Sequence, residues 1–167
     1  SVTIGIWVDA GSRYELPHEN GITHFIEHML FKGTATRSAH QIAQAFDRIG
    51  GEINAFTSKE NTCYFTKVLD HHGEHAIDML ADMFFNSALR EDDLERERQV
   101  VGEEILMSED AADDDIHEKL WYEMYPKDAL GLPILGTAET LATFDADMIR
   151  NYMDKHYAPE NVVISIA

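Results

Sequence analysis

Apolar and polar positions along the 167-residue chain change period several times, and each change marks an element. Val2, Ile4, Ile6 and Val8 recur at every second residue, the signature of a half-buried strand. A turn-rich stretch from Gly11 to Gly21 follows. Ile22 to Phe31 is then a strongly apolar run with His and Glu set into it, too long and too poor in β-branched residues for a strand. It reads as a buried helix ended by Lys32-Gly33-Thr34. Ser38 is suited to cap a second helix that reaches Ile49 and stops at Gly50-Gly51.

Two strand-like runs come next, Glu52 to Thr57 and Thr62 to Leu69, joined by the polar Ser58-Lys59-Glu60-Asn61 in the manner of a hairpin. Between His71 and Leu89 the positions Ala76, Leu80, Met83 and Phe84 keep a helical period. Another helix opens at Glu91-Asp92-Asp93, whose carboxylates suit a helix N-terminus, and continues through Val100, Val101, Ile105 and Leu106. Helical patterns return at Ile116 to Tyr125 and Asp145 to His156, separated by a Gly/Pro loop from Gly131 to Gly136, and the chain ends on the strand-like run Val162 to Ala167. Strands separated by helices, with neighbouring strands in a hairpin, predict an α+β fold: a two-layer sandwich whose mostly antiparallel sheet is covered by helices. Residues 1–167 make one domain. Both ends run out on strands without polar tails, so the chain reads as truncated at each end of something longer.

Charge narrows the partners. The formal charge of −18 disfavours nucleic acid phosphates and anionic lipid, and favours cations and basic peptides. Apolar runs fall far short of a membrane span. Cys63 is the single cysteine, which excludes an intramolecular disulfide and makes a reducing compartment the default.

The chemistry is concentrated at His24-Phe25-Ile26-Glu27-His28. Two imidazoles four residues apart project from one face of a helix. Neutral imidazole suits zinc, which in catalytic sites takes three protein ligands and leaves a fourth position to water. Glu27, beside His28, is the natural base for that water. The same spacing occurs again in His71-His72-Gly73-Glu74-His75, and by composition a chance match is expected in roughly one such chain in twenty. Context separates the copies: the first lies in an apolar helix where unpaired imidazoles and a carboxylate would be costly, the second in a polar stretch at a helix start. A third ligand must come from elsewhere. The acidic helix beyond Glu91 offers Glu97 and Glu104, seven residues apart and therefore on one face, with Val100 and Val101 between them making that face partly buried.

The segment His24 to Thr34 resembles the inverted zinc motif of the inverzincins, the family of pitrilysin, insulysin and the mitochondrial processing peptidase. The resemblance runs over nearly the whole chain and is nearest to the short bacterial branch related to the processing peptidase β subunit. It also takes in Arg48 to Ser58, similar to the family's glycine turn and edge strand, and Gly131 to Thr137, similar to its loop ahead of the last helix. It implies a zinc endopeptidase that hydrolyses unfolded peptides or presequence-like segments with a metal-activated water. One Zn2+ per chain would be held by His24, His28 and Glu104. The family's third ligand follows its second histidine by about 76 residues, a count that leads from His28 to Glu104 but from His75 to Asn151. Glu27 would be the base, Glu97 would orient a histidine or the metal from behind, and Asn54, Ala55 and Phe56 would receive an extended substrate as an added strand. The substrate, favoured when it carries Lys or Arg, would be enclosed between this domain and a second half, either a C-terminal domain or a partner subunit, in a homodimer. The compartment implied is the bacterial cytoplasm, or the mitochondrial matrix in a eukaryote. The alternative within the resemblance is a non-catalytic structural subunit of the same fold.

Overall fold

The computed structural model describes residues 1–167. Four strands, β1 (Val2–Val8), β2 (Glu52–Thr57), β3 (Thr62–Val68) and β4 (Val162–Ile166), form a single antiparallel sheet in the order β2-β3-β1-β4. The expected alternation of β1 holds: Ile4, Ile6 and Val8 are buried on the helical side. Facing pairs Ile4↔Thr66 and Ile6↔Tyr64 fix the register with β3, and Ala55↔Tyr64 carries it on to β2. The hairpin turn is stapled by Ser58, whose Oγ accepts the Asn61 N–H at 3.0 Å. β2 is left as one open edge of the sheet.

The second layer consists of helices. α1 (Ile22–Leu30) is the most buried, with Ile22, Phe25, Ile26, Met29 and Leu30 all fully enclosed. α2 (Ala39–Arg48) begins at Ser38 with a reciprocal cap, Gln41 N–H to Ser38 Oγ and Ser38 N–H to Gln41 Oε1. α3 (Gly73–Asn86) packs on β1 and β3 through Ala76, Met79, Leu80 and Met83. α4 (Glu91–Asp110) crosses α1; α5 (Ala112–Met124), α6 (Ala138–Leu141) and α7 (Ala146–His156) complete the layer.

Some boundaries differ from expectation for identifiable reasons. The helix expected from His71 starts at Gly73, because Asp70–His72 form a 3-10 turn. The helix expected from Ile116 starts four residues earlier, where Asp113, Asp114 and Asp115 occupy its electropositive first turn. α6 is too short to show a period and is set by the Thr137–Thr140 cap.

Candidate metal centre

α1 carries three of the site residues, and its start is held from outside. Its N-cap, Gly21, has no side chain to offer and adopts φ 91°. The buried carboxylate of Glu15 supplies the cap instead, accepting N–H groups of Gly21 at 2.7 Å and Thr23 at 2.9 Å. A Cβ at Gly21 would come within 2.6 Å of the Leu135 carbonyl oxygen, so the absence of a side chain lets the 131–137 loop lie directly on the helix start. Asn20 closes that contact by donating to the Pro133 carbonyl at 2.9 Å.

One turn apart, His24 and His28 stand edge-to-face with ring centroids 4.6 Å apart. Across from them α4 presents Glu104. Its Oε2 is 3.7 Å from His24 Nε2 and 3.5 Å from His28 Nε2, and one ligand atom from each of the three residues lies within 4.8 Å of the others. Donors bound to a single tetrahedral zinc lie about 3.3–3.5 Å apart, and the two edges that meet at Glu104 are already close to that spacing. Two imidazoles with one carboxylate are a donor set of catalytic zinc sites. The residues fit the metal.

At His24 the protonation state favours the same use, whereas at His28 a metal would bind in place of a proton. Burial, aided by the neighbouring His28, pushes the His24 pKa down to about 4, which leaves that imidazole neutral with a lone pair to donate. For His28, burial opposes the charged form, but the hydrogen bond to Glu97 and the carboxylates of Glu104 and Glu27 outweigh it and raise the pKa. Glu97 is 3% exposed, and its Oε2 lies 3.2 Å from His28 Nδ1 while its Oε1 lies 2.6 Å from Lys32 Nζ. Burial alone would raise the Glu97 carboxyl; His28 and Lys32 overcome it and hold the group below its ordinary range. An ionised Glu97 accepting from Nδ1–H leaves the opposite nitrogen of His28 free for a metal. His24 has no such support, and its Nδ1 is buried without a partner.

Glu27, from the same helix, faces a cleft of about 440 Å³ lined in part by His24, Ala55, Phe56, Thr57, Asp114 and Glu118. Its Oε2 accepts the Thr57 hydroxyl. Burial raises its carboxyl, partly offset by that hydrogen bond. Of the three residues expected to meet substrate, Ala55 and Phe56 line the cleft. Asn54 does not, but its Oδ1 accepts the Ala55 N–H at 2.9 Å.

Two readings of the sequence need correction. Val100 is 43% exposed and lies outside the Glu97–Glu104 stripe, which is completed by the buried Val101. Glu104 is not a buried carboxylate: its side chain is 39% exposed at the cleft rim, while Glu97 alone is enclosed. The second His-x-x-Glu-His copy straddles the turn into α3, with His71, Glu74 and His75 exposed, and forms no cluster with a third donor. Sequence reasoning did not single out Thr57, Lys32 or Glu15. Thr57 could have been found from the two-residue period that sets it on the Ala55 face of β2, and Lys32 from its i+4 relation to His28. Glu15 left no local signal, because it caps a helix that begins seven residues later.

The family model described as "Insulinase (Peptidase family M16)" matches residues 1–138. An uncharacterized zinc protease of Bacillus subtilis (strain 168) is 58% identical over all 167 residues; the chain covers 100% of itself and 41% of that relative. A crystal structure of a protease from Helicobacter pylori superposes with TM-score 0.87 at 24% identity, over 99% of this chain and 40% of the other. A peptidase M16 inactive domain from Pseudomonas fluorescens superposes with TM-score 0.91 at 19% identity, again over 99% and 40%. The chain thus spans about two fifths of the length of these proteins.

Proposed function

Because the chain belongs to the insulinase family, peptidase family M16, we propose that it carries the catalytic centre of a zinc-dependent endopeptidase, with His24, His28 and Glu104 as the metal ligands, one Zn2+ per chain. The observation that carries this reading is the convergence of three donors from two helices beside a carboxylate that is not one of them. When bound, the metal supplies a Lewis acid that acidifies water and polarises a peptide carbonyl. Glu27 takes the proton of the attacking water and returns it to the leaving amine. Thr57 fixes the Glu27 carboxylate from β2, and Glu97 fixes the ring of His28.

The substrate enters as an extended chain along the open edge of β2. The Ala55 N–H bonds to the Asn54 side chain instead of β3, so it faces that edge, and an incoming carbonyl can replace Asn54 Oδ1 there. Asp114 and Glu27 make the cleft acidic, Glu118 being already paired with Lys59 at 3.3 Å, and this favours peptides carrying Lys or Arg. A second half of the chamber, from the same polypeptide or a partner subunit, encloses the substrate. The non-catalytic alternative shares the fold with the Pseudomonas fluorescens inactive domain, but it gives no role to Glu27 and Thr57. Full-length protein incubated with an unfolded lysine-containing peptide tests the proposal. Cleavage should stop with a chelator and return with zinc, whereas cleavage indifferent to the chelator would overturn it.

A further inference from the structure

Beside the cleft, α4, α5 and the 131–139 segment enclose a larger cavity of about 840 Å³, within the range of sites that bind ligands. Its lining includes Gly102, from the middle of α4. Glycine at such a position costs a helix about 1 kcal/mol relative to alanine. Packing does not require it, since a Cβ there would meet nothing nearer than Leu141 Cδ2 at 4.0 Å. A side chain longer than that of alanine at this position would project into the groove.

The walls are apolar and unpartnered. Leu106 and Tyr122 line the groove while 61% and 54% exposed, and α5 buries none of its residues. Charge around this strip is one-sided. The two cations in the lining are already paired, Arg98 with Glu91 and Glu95 and Lys119 with Asp115, whereas Glu103, Glu109 and Glu139 have no cationic partner. The groove and the catalytic cleft share Ser108, Glu118, Pro133 and Leu135, so the two adjoin.

We infer that the groove holds a distal segment of the substrate, one that combines apolar side chains with Lys or Arg. The inference rests on the peptidase reading above and adds a specificity site to it. Apolar side chains of the segment cover Leu106 and Tyr122, and its cations face the three free carboxylates. Because cleft and groove adjoin, a peptide long enough to engage both gains by effective concentration over one that ends in the cleft. An acidic segment meets repulsion instead.

The test uses full-length protein and a fluorescent Leu/Lys peptide of about twelve residues, roughly 40 Å when extended. Binding is measured with chelator present, so that it does not depend on catalysis. Saturable binding is expected, weakened about tenfold by Gly102→Leu and by the double reversal Glu103→Lys/Glu109→Lys, and kept by Gly102→Ala, which leaves the groove open. Gly102 and Glu104 point to opposite sides of α4, so Gly102→Leu retains its zinc. In a second arm, two cleavable peptides share one scissile segment, and only one continues into the Leu/Lys segment. The longer should show a kcat/KM about tenfold higher, and Gly102→Leu should erase the difference while the shorter is cleaved as before. No binding, as when the rest of the polypeptide or a second copy fills the groove, overturns the inference. So does binding indifferent to Gly102→Leu, or equal binding of a Leu/Glu peptide. Peptide binding with neither substrate cleaved would overturn the peptidase reading, and with it the occupant's role as substrate, so the two failures are told apart.

Discussion

Glu97 Oε2 lies 3.2 Å from His28 Nδ1, joining residues 69 apart in sequence, and Lys32 holds the other carboxylate oxygen at 2.6 Å. The contact sets which nitrogen of His28 carries the proton and aims the other at Glu104. Glu97 is a positioning residue in this arrangement. Glu97→Ala should lower zinc affinity about 10- to 100-fold, read by competition with a chromophoric chelator. Removing only the charge with Glu97→Gln should lower it less, because an amide oxygen still accepts from Nδ1–H. Unchanged affinity in both variants would contradict the role.

Glu27→Gln separates chemistry from metal binding. Zinc content should stay at one per chain while peptide cleavage falls by at least about 100-fold. Thr57→Val, which removes the hydroxyl bonded to Glu27, should lower kcat with little change in KM, because the carboxylate loses its fixed orientation.

The second His-x-x-Glu-His copy is expected to be inert. Its histidines at 71 and 75 are exposed and lack a third donor, so His71→Ala and His75→Ala together should leave zinc stoichiometry and cleavage unchanged.

Stability should fall in acid partly through Asp82. Burial alone would raise this carboxyl, but hydrogen bonds from Thr34, Asn86 and Arg37 outweigh it and hold the pKa below the ordinary value. A depressed carboxylate stabilises the fold above its unfolded pKa of about 3.9, and that contribution is lost as pH falls through the folded value. Asp82→Asn should therefore cost about 1–2 kcal/mol at pH 7. Denaturant melts of the two proteins should draw together below about pH 4.

Much of this was legible because the local rules agree. The two-residue period of β1, the capping Ser38 and the polar link between β2 and β3 each specify structure over a few residues, and each appears where those rules put it. The histidine pair was equally local, since i and i+4 on a helix must share a face. The tilt of α4 was not local. A helical period shows that Glu97 and Glu104 lie on one stripe, but how deeply each is sunk depends on how α4 crosses α1. That is why Glu104 is found at the rim and only Glu97 inside. The cap that Glu15 places on α1 and the seat of the 131–137 loop on Gly21 also depend on tertiary contact.

The most direct measurement is anomalous diffraction at the zinc edge from crystals of the zinc-loaded full-length protein. A single peak per chain is expected within about 2.2 Å of His24 Nε2, His28 Nε2 and a Glu104 carboxylate oxygen, with Glu27 close by but not coordinating. A peak at His71 and His75, or one that leaves Glu104 outside the coordination shell, would contradict the central claim.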